Sequence, residues 1–498
     1  MKRTSHRGRR RKEYNLRFKT ESIILDLKCI FKSKESSITS DDSLIKLQTY
    51  YTRGKTMYYD LTKGPITKNL ILFSLPMIAG DLLQQFYNIA DTLIVSRFIG
   101  SHALAAVGSA YALMTFLTSI FIGLAMGVSS LLSIDLGKQE EERLKSTIVH
   151  SFFLIMSITI ILTILVYLGI NPILHFLQIP QSLLYGTQIY LLIIFSGMIA
   201  VALYNFITCI LRAVGNSLTP LYFLGVSALI NITLDLIFII VFHMGIGGAA
   251  LATVIAQYIS AIGITLYFCK HCQAYMPRKR HCHYDSQILS EITKYSLFTC
   301  LQQSCMNFGI LLIQRLVDSF GAITMAGFAA AVKIDTFAYL PVQDFGNAFS
   351  TFIAQNFGAK EKERLRTGIK TATFASAAFS LILSLLVFIF AKPLMMLFVK
   401  AHEIQVISSG VRYLRIEGAF YVGIGCLFLL YGLYRSIDQP QMSFILTIIS
   451  LGLRVVLAYA FAPIWGEVGI WVSIPIGWFI ADTFGYFYYL RHRATLLP

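Results

Sequence analysis

The stretch STIVHSFFLIMSITIILTILVYLG, residues 146–169, contains no Lys, Arg, Asp or Glu. About 20 apolar residues are enough to cross the hydrocarbon core of a bilayer, which is about 30 Å thick. Because lipid offers no hydrogen-bond partners, the backbone of such a segment has to bond within itself, as a helix does. The stretch therefore predicts a transmembrane α-helix.

The composition of the whole chain extends this prediction. Of its 498 residues, 56% are hydrophobic and only 14% are charged, and the mean hydropathy is +0.65. Soluble domains carry about a quarter charged residues, so much of this chain is expected to face lipid. The eight cysteines show no spacing typical of a disulfide framework.

Apolar segments of spanning length recur from residue 60 to the C-terminus. There are twelve of them: 66–95, 103–133, 146–169, 187–211, 218–242, 247–269, 295–317, 322–355, 371–391, 411–434, 441–462 and 468–490. Cytoplasmic loops are rich in Lys and Arg, so the distribution of these residues among the loops tests whether the number of spans is twelve. With the N-terminus inside, the cytoplasmic loops and tail hold seventeen Lys or Arg and the opposite loops hold five. An odd number of spans would break this alternation, so both termini are predicted to be cytoplasmic.

The two halves of the chain repeat each other. IDLGKQEEERLK (134–145) matches AQNFGAKEKERLR (354–366), with Gly137 on Gly358, and the same shift places Gly100 on Gly321. MGIGGAALAT (244–253) matches GEVGIWVS (466–473) at nearly the same shift. Each half holds six spans, an even number, so both enter the membrane in the same sense. The sequence thus predicts an all-α integral membrane protein of two six-helix bundles, related by a pseudo-two-fold axis along the membrane normal, with a cavity between them.

Four parts follow from this organisation. Residues 1–56 hold fifteen Lys or Arg and six Asp or Glu and lack the apolar core of a signal peptide. A tail that binds nucleic acid or anionic lipid is one interpretation. We expect instead a disordered cytoplasmic extension, or a stretch upstream of a true start at Met57. The other parts are an N-terminal lobe (57–270), a cytoplasmic linker (271–294) and a C-terminal lobe (295–498).

Ionisable residues inside the spans are candidates for function, because a charge in the membrane is costly and usually faces the interior. Asp235 stands out, since Asn231 lies one turn before it on the same helix face. An amide oxygen beside a carboxylate suits a hard cation, and burial equally favours a carboxyl that binds a proton. The alternative is a structural hydrogen bond between helices, worth about 0.6 kcal/mol on average. Further ionisable residues, with roles left open, are Asp81, Asp91, Lys333, Asp335, Asp344, Glu417, Arg454 and Asp482.

Other chemistries find little support. The linker segment CKHCQAYMPRKRHCHYD (269–285) contains three Cys and three His, but their spacing fits no standard zinc motif, so no metal site is expected. No Gly-rich phosphate loop ending in Lys-Ser/Thr is present, so ATP hydrolysis is not expected. The spans contain no nucleophile motif, and we expect neither an enzyme nor a resident cofactor.

SLPMIAGDLLQQFYNIADTLIVSRFIGSHALAAVGSA (74–110) strongly resembles the first two helices of the multidrug and toxic compound extrusion (MATE) transporters of bacteria. LRAVGNSLTP (211–220), INITLDLIF (230–238) and AQNFGAKEKERLR (354–366) look like further motifs of this family. The resemblance covers about residues 60–490. It implies a V-shaped cavity, alternating access, and export coupled to entry of H⁺ or Na⁺ across the bacterial plasma membrane.

The resemblance also implies a coupling site in the first half, without catalytic residues. Its members are the carboxylates and amide Asp91, Asn231 and Asp235, with Tyr87, Asn205 and Thr253 as supporting polar groups. Many sodium-coupled members also carry a Glu in the seventh helix and an Asp in the tenth. Here the seventh has Gln302 and Gln303, and the tenth has Glu417 only at its start. A sodium site in the second half is therefore expected to be absent; protons are favoured, and Na⁺ stays open.

The expected function is cation-coupled antiport that exports drugs or other amphipathic molecules, with organic cations as the expected class. The family's habit implies a monomer, and no nucleic-acid partner is expected. A flippase of lipid-linked precursors, from the same wider superfamily, is the alternative. It would need a more basic cavity, for which Lys333 and Arg454 give little support.

Overall fold

The computed structural model describes residues 59–176 and 179–496. Regular structure in these ranges is helical, without β-strands. Ten of the described helices are long and apolar enough to cross a membrane, and two bent helix pairs bring the number of spans to twelve. The predicted all-α architecture is confirmed, whereas the extension predicted for residues 1–56 lies outside the described residues.

The spans follow one another in the predicted order, and we number them 1 to 12. They are Ile66–Phe98, Ser101–Gly137, Glu141–Phe176, the pair Gln181–Ser196 and Met198–Ala213, Leu218–Val241, Gly245–His271, Ser286–Asp318, Ala322–Gly358, Lys362–Met396, the pair Ile404–Gly418 and Tyr421–Ser436, Pro440–Trp465, and Glu467–Leu496. Spans 1–6 form the first half and spans 7–12 the second. The linker between them carries two short 3-10 helices, Gln273–Tyr275 and Lys279–Cys282.

The internal repeat is visible in the backbone. Gly100 and Gly321, which precede spans 2 and 8, have φ of 110° and 92°. Gln139 and Lys360, which follow these spans, have φ of 60° and 57°, in the left-handed region that residues other than glycine rarely adopt. The two members of each pair are separated along the chain by the same number of residues as Gly137 and Gly358. The repeat found in the sequence is thus also a repeat of backbone conformation.

The same repeat extends to one side-chain contact. Arg143 Nε donates to Asp135 Oδ1 at 3.0 Å in the first half, and Arg364 Nε donates to Asn356 Oδ1 at 3.0 Å in the second. Each bond ties the start of one span to the end of the preceding one. Because a carboxylate in one half becomes an amide in the other, the halves share this geometry but not its charge.

Two spans are broken at equivalent positions. Span 4 bends by 43° between Ser196 and Met198, and span 10 bends by 52° between Gly418 and Tyr421. Interrupted helices at corresponding positions of two repeats are typical of the binding region of a transporter. The breaks therefore direct attention to the residues around spans 4 and 10.

Each half has a hydrophobic core of its own. In the second half, Trp471 stacks on Phe328 with ring centroids 5.1 Å apart, and Tyr413 packs edge-on against both rings. The first part of span 1, with Leu70 and Phe73, belongs to this second core. Span 1 therefore joins the halves, and the proposed limits of the two lobes remain predictions.

The halves close on each other at the end of the bundle that holds residues 134–145 and 354–366, which we call the basic end. Gln355 of span 8 accepts from Leu61 N and donates to Ala213 O of span 4 at 2.8 Å. Gly137 and Gly358, the matched glycines of the repeat, pack directly on the facing backbones. A Cβ atom on Gly137 would collide with the carbonyl of Gln355, so this crossing depends on glycine.

We expect Gly137→Ala to destabilise the protein by about 1–3 kcal/mol, the usual cost of forcing an extra methyl into a tight contact. The matched control is Gly108→Ala in the same span, where a Cβ atom meets nothing within 4 Å. Because alanine favours a helix by about 1 kcal/mol over glycine, the control should be neutral or stabilising. The midpoint of thermal unfolding in detergent, measured for both variants, gives the difference in stability. Equal midpoints would contradict a helix crossing that depends on glycine.

Candidate functional site

Two carboxyl groups meet inside the first half. Asp91 projects from span 1 and Asp235 from span 5, and the two carboxyl groups lie within hydrogen-bonding reach of each other. Asp235 is 0% exposed. Beyond this contact, both oxygens of Asp235 and Oδ1 of Asp91 are buried without hydrogen-bond donors among the described residues. The predicted cation-site carboxylates are therefore in contact, and little else surrounds their oxygens.

This contact has a direct chemical consequence. Two ionised carboxylates have no hydrogen atom with which to bond each other, and two like charges in an apolar interior repel strongly. A proton shared between the oxygens removes both difficulties, and a bound cation would remove the repulsion. The arrangement can therefore hold one H⁺, or a cation such as Na⁺ with oxygen ligands.

Amide and hydroxyl groups extend the site. Asn231 Nδ2 donates to Thr253 Oγ1 at 3.2 Å, and Thr253 donates in turn to the carbonyl of Ala249. The chain of donors leaves Asn231 Oδ1 buried and free as an acceptor, one helical turn from Asp235. Asn205 instead donates to Val201 O at 2.9 Å, one turn back in its own helix. The structure thus links Asn231 with Thr253 and gives Asn205 a bond within span 4.

Two tyrosines face the carboxyl pair. Tyr87, predicted from the resemblance, lies within electrostatic reach of Asp91 and Asp235. Tyr190 of span 4 lies within reach of the same two groups and is 5% exposed. The sequence analysis missed Tyr190, because an aromatic residue in an apolar span carries no signal of its own. Only the packing of span 4 brings it to the site.

Local backbone features position these groups. A π-helical segment, Ile237–Val241, begins two residues after Asp235, and such bulges are frequent at functional sites. At the break in span 4, Gly197 lies close to span 6, where a Cβ atom would meet Val254 and the flexible end of the Gln257 side chain. Spans 4 and 6, which carry Tyr190 and Thr253, thus approach each other at this break.

The second half contains an acidic cluster of its own. Asp335 Oδ1 of span 8 accepts from Tyr421 OH at 2.7 Å. Glu417 of span 10 is 4% exposed and shares a hydrogen bond with Tyr413. Arg454 of span 11 lies within electrostatic reach of both carboxyls. The cluster lies beside the break in span 10, as the first-half site lies beside the break in span 4.

This cluster refines the expectation for the second half. Gln302 of span 7 is buried, in agreement with the missing Glu, so the acids do not occupy the positions typical of sodium-coupled members. Asp335 and Glu417 lie on different spans, and no spacing rule joins them. Lys333 is exposed whereas Asp335 is buried, as expected for residues two apart on a helix.

One histidine of the linker contacts span 3. His281 Nε2 lies 2.9 Å from Glu142 Oε2, and Arg280 pairs with the other oxygen of this carboxylate. His150 Nε2 accepts from Asp285 N at 3.1 Å. In the described part of the chain, no three His, Cys, Asp or Glu side chains are grouped as a metal ion would require.

Comparison with known proteins places the chain in a family. A family model described as MatE matches residues 76–237 and again residues 298–460. The chain belongs to the MATE family of transporters. The model matches once in each half, in agreement with the internal repeat. The MATE fold of two six-helix bundles, related by a pseudo-two-fold axis along the membrane normal, is therefore confirmed.

Individual relatives support the family assignment over nearly the whole fold. The chain is 29% identical over 439 residues to "Probable multidrug resistance protein YpnP" of Bacillus subtilis (strain 168), covering 87% of this chain and 97% of the relative. It is 24% identical over 426 residues to "Multidrug export protein MepA" of Staphylococcus aureus (strain MSSA476), covering 85% and 93%.

A solved structure agrees in fold. The one titled "Outward-facing conformation of a multidrug resistance MATE family transporter of the MOP superfamily" superposes with a TM-score of 0.83 at 23% identity. The superposition covers 90% of this chain and 100% of that chain. The arrangement of the spans in this MATE protein therefore matches that of a solved family member.

We expect dicyclohexylcarbodiimide, which reacts with protonated carboxyls in apolar surroundings, to label Asp91 or Asp235. The matched control is Asp135, whose side chain is 0% exposed but ion-paired with Arg143 at 3.0 Å and therefore held ionised. Peptide mass spectrometry of the purified protein measures labelling at each site. Equal labelling of Asp135, or none at the pair at any pH, would contradict a shared proton.

Proposed function

We propose that this MATE protein is a cation-coupled antiporter that exports drugs or other amphipathic organic molecules, with coupling through Asp91 and Asp235. The proximity of these two carboxyls carries the proposal, because it would let them share a proton or a cation at a place where two spans meet. The names of the relatives, a probable multidrug resistance protein and a multidrug export protein, support drug efflux.

The proposed orientation places the basic end in the cytoplasm of a bacterial cell, with both termini on that side of the plasma membrane. The support is the excess of Lys and Arg in the loops at this end. The hydrogen bonds of Gln355 and Arg364 across the halves also lie there. The closed end would then be the cytoplasmic one, and the structure would represent the outward-facing state of a monomer.

In the proposed cycle, the outward-facing protein takes up H⁺ or Na⁺ at Asp91 and Asp235. Neutralising the pair changes the packing of spans 1 and 5 and weakens substrate binding, so that the drug leaves to the outside. The cation is released when the cavity opens to the cytoplasm. Binding can drive this change only because the cation prefers one conformation over the other. We favour H⁺, since one proton would both remove the repulsion between the two carboxyls and allow a hydrogen bond between them.

The substrate class follows from the surface between the halves. Phe86 of span 1 and Phe337 of span 8 face each other across the halves with ring centroids 5.8 Å apart, and Phe86 is 61% exposed. Tyr339, two residues further along span 8, stacks with Phe428. Aromatic faces attract organic cations, so we propose amphipathic organic cations as substrates.

The two basic residues that the sequence analysis weighed for the flippase alternative give it little support. Arg454 lies against Asp335 and Glu417, which compensate its charge. Lys333 is exposed on the other face of span 8. Neither residue that could have favoured a lipid-linked phosphate is therefore available to a substrate inside the second half.

We expect Asp91→Asn and Asp235→Asn each to reduce ethidium export to background while the protein still folds and inserts. An amide cannot take up or release the coupling proton, so the cycle stops. The matched control is Asp318→Asn, an exposed carboxyl at the end of span 7, which should export like wild type. Efflux from cells that express equal amounts of each protein is the measurement, and export by both pair variants would rule out the scheme.

The coupling ion is tested in membrane vesicles that contain wild-type protein. A pH gradient, followed by a Na⁺ gradient at constant pH, should drive ethidium transport only in the first case if H⁺ is the coupling ion. Transport driven by Na⁺ alone would assign Na⁺ to the pair. If neither gradient drives ethidium transport and the protein instead transports a lipid-linked precursor, the flippase alternative replaces the antiporter.

A further inference from the structure

Two other carboxyls meet between the halves and take no part in the proposed coupling site. Asp81 lies in span 1 and Asp344 in span 8, and their carboxyl groups lie within hydrogen-bonding reach of each other. Asp344 is 2% exposed, and its Oδ2 has no hydrogen-bond donor among the described residues. At about 1.5 Å per residue, Asp344 lies about 16 Å further into the bundle than Gln355, a residue of the closed basic end.

The groups around this pair come from several spans. Arg212 of span 4 lies within electrostatic reach of both carboxyls, and its Nε has no hydrogen-bond partner in the described structure. Arg435 of span 10 donates instead to Asn347 Oδ1 at 3.3 Å and to Ser350 Oγ at 3.4 Å. Further polar groups that face the pair are Asn347, bonded to Asp344, and Tyr204 and Tyr339, both near Asp81.

Charge balance favours a single proton on this pair. Two ionised carboxylates cannot hydrogen-bond each other, whereas one shared proton leaves one negative charge opposite Arg212. A second proton would leave Arg212 without a counter-charge, and buried charges without partners are costly. The charge of Arg435 is satisfied by hydrogen bonds to Asn347 and Ser350 rather than by either carboxyl.

The internal repeat gives the two interfaces between the halves different chemistry. The shift that places Gly137 on Gly358 matches Asp344 with Gly123 of span 2, and Asp81 with Gln302 of span 7. At that equivalent interface, a Cβ atom on Gly123 would lie 2.5 Å from Cys300 Cα. One interface between the halves is thus closed by glycine packing, whereas the other brings two carboxyls together.

We propose that Asp81 and Asp344 form a second proton-binding pair, a latch that holds the halves together around one shared proton and releases this proton when the basic end opens. In the closed state the species is one carboxylic acid bonded to one carboxylate. Opening separates the two groups, the proton passes to water, and two carboxylates remain. Closing takes one proton up again.

The direction of the pH effect follows from this balance. Carboxyls that face water are ionised at neutral pH, so the open state binds no proton at the latch while the closed state binds one. Low pH therefore favours closure and high pH favours opening. One linked proton changes the ratio of open to closed protein by at most about tenfold per pH unit. Only the place of the latch in a transport cycle rests on the proposed function.

A native cysteine reports on this opening. Cys209 of span 4 is 7% exposed and lies within electrostatic reach of Arg212 and, across the halves, of Arg435. Cys269 at the end of span 6 is exposed and serves as the reference. We would label the purified full-length protein with a maleimide and measure the ratio of Cys209 to Cys269 labelling by peptide mass spectrometry. Comparing variants at the same pH cancels the chemistry of the thiol itself.

In wild type, we expect Cys209 labelling to rise by at most about tenfold per unit between about pH 6 and about pH 8. In Asp81→Asn and Asp344→Asn, the amide imitates the protonated carboxyl and can still donate to its partner, so Cys209 should stay protected at every pH. Asp344→Ala removes the bond and should leave Cys209 reactive even at low pH. The two variants Asp344→Asn and Asp344→Ala are thus expected to give opposite results.

The matched control is Asp482→Asn, a partly buried carboxyl inside the second half near Cys426, which should titrate like wild type. Asparagine variants that titrate like wild type, or wild-type labelling that is independent of pH, would overturn the latch. The readout needs no substrate. If the latch titrates as expected but wild type exports nothing, the proposed function fails alone; if Asp91→Asn loses export while Asp81→Asn titrates normally, the latch fails alone.

Discussion

A carboxyl group in the interior of a membrane protein needs a proton, a cation or a donor, because the surrounding medium cannot solvate its charge. In this chain, several intramembrane acids satisfy the need by meeting a residue from another span. Asp91 meets Asp235, and Asp335 meets Tyr421. Every such contact ties together two helices, so the protonation of an acid depends on how those helices pack.

The two halves of the pseudo-two-fold repeat share one backbone framework, but the side-chain contacts of the acids differ between them. Both halves repeat the bend of spans 4 and 10 and the arginine bond at the basic end. At the two interfaces between the halves, one carries Gly123 where the other carries Asp344. The same backbone framework therefore carries glycine packing at one interface and two neighbouring carboxyls at the other.

Close packing at the basic end fits the physics of helices in lipid. Because lipid tails are as apolar as leucine, helices associate through van der Waals contact and hydrogen bonds, and small residues permit the closest approach. At the basic end, Gly137 and Gly358 pack on the facing backbones. Further into the bundle, Gly123 and Gly127 place span 2 directly on the backbone of span 7, and Ser296 Oγ of span 7 donates to Leu124 O. Ion pairs add to the packing at the basic end, among them those of Arg143 with Asp135 of span 2 and with Glu291 of span 7.

The sequence by itself determined the twelve spans, their two halves and the carboxylate and amide of span 5, because hydropathy, loop charge and helical spacing are local properties. Local properties do not tell which spans pack together, and this was decided by the tertiary structure. It brings Tyr190 near Asp91 and Asp235, and it brings together acids that lie far apart in the chain. Partners on different spans follow no spacing rule, since their contact depends on how whole helices pack. The acids could therefore be recognised from the sequence, but their pairing could not.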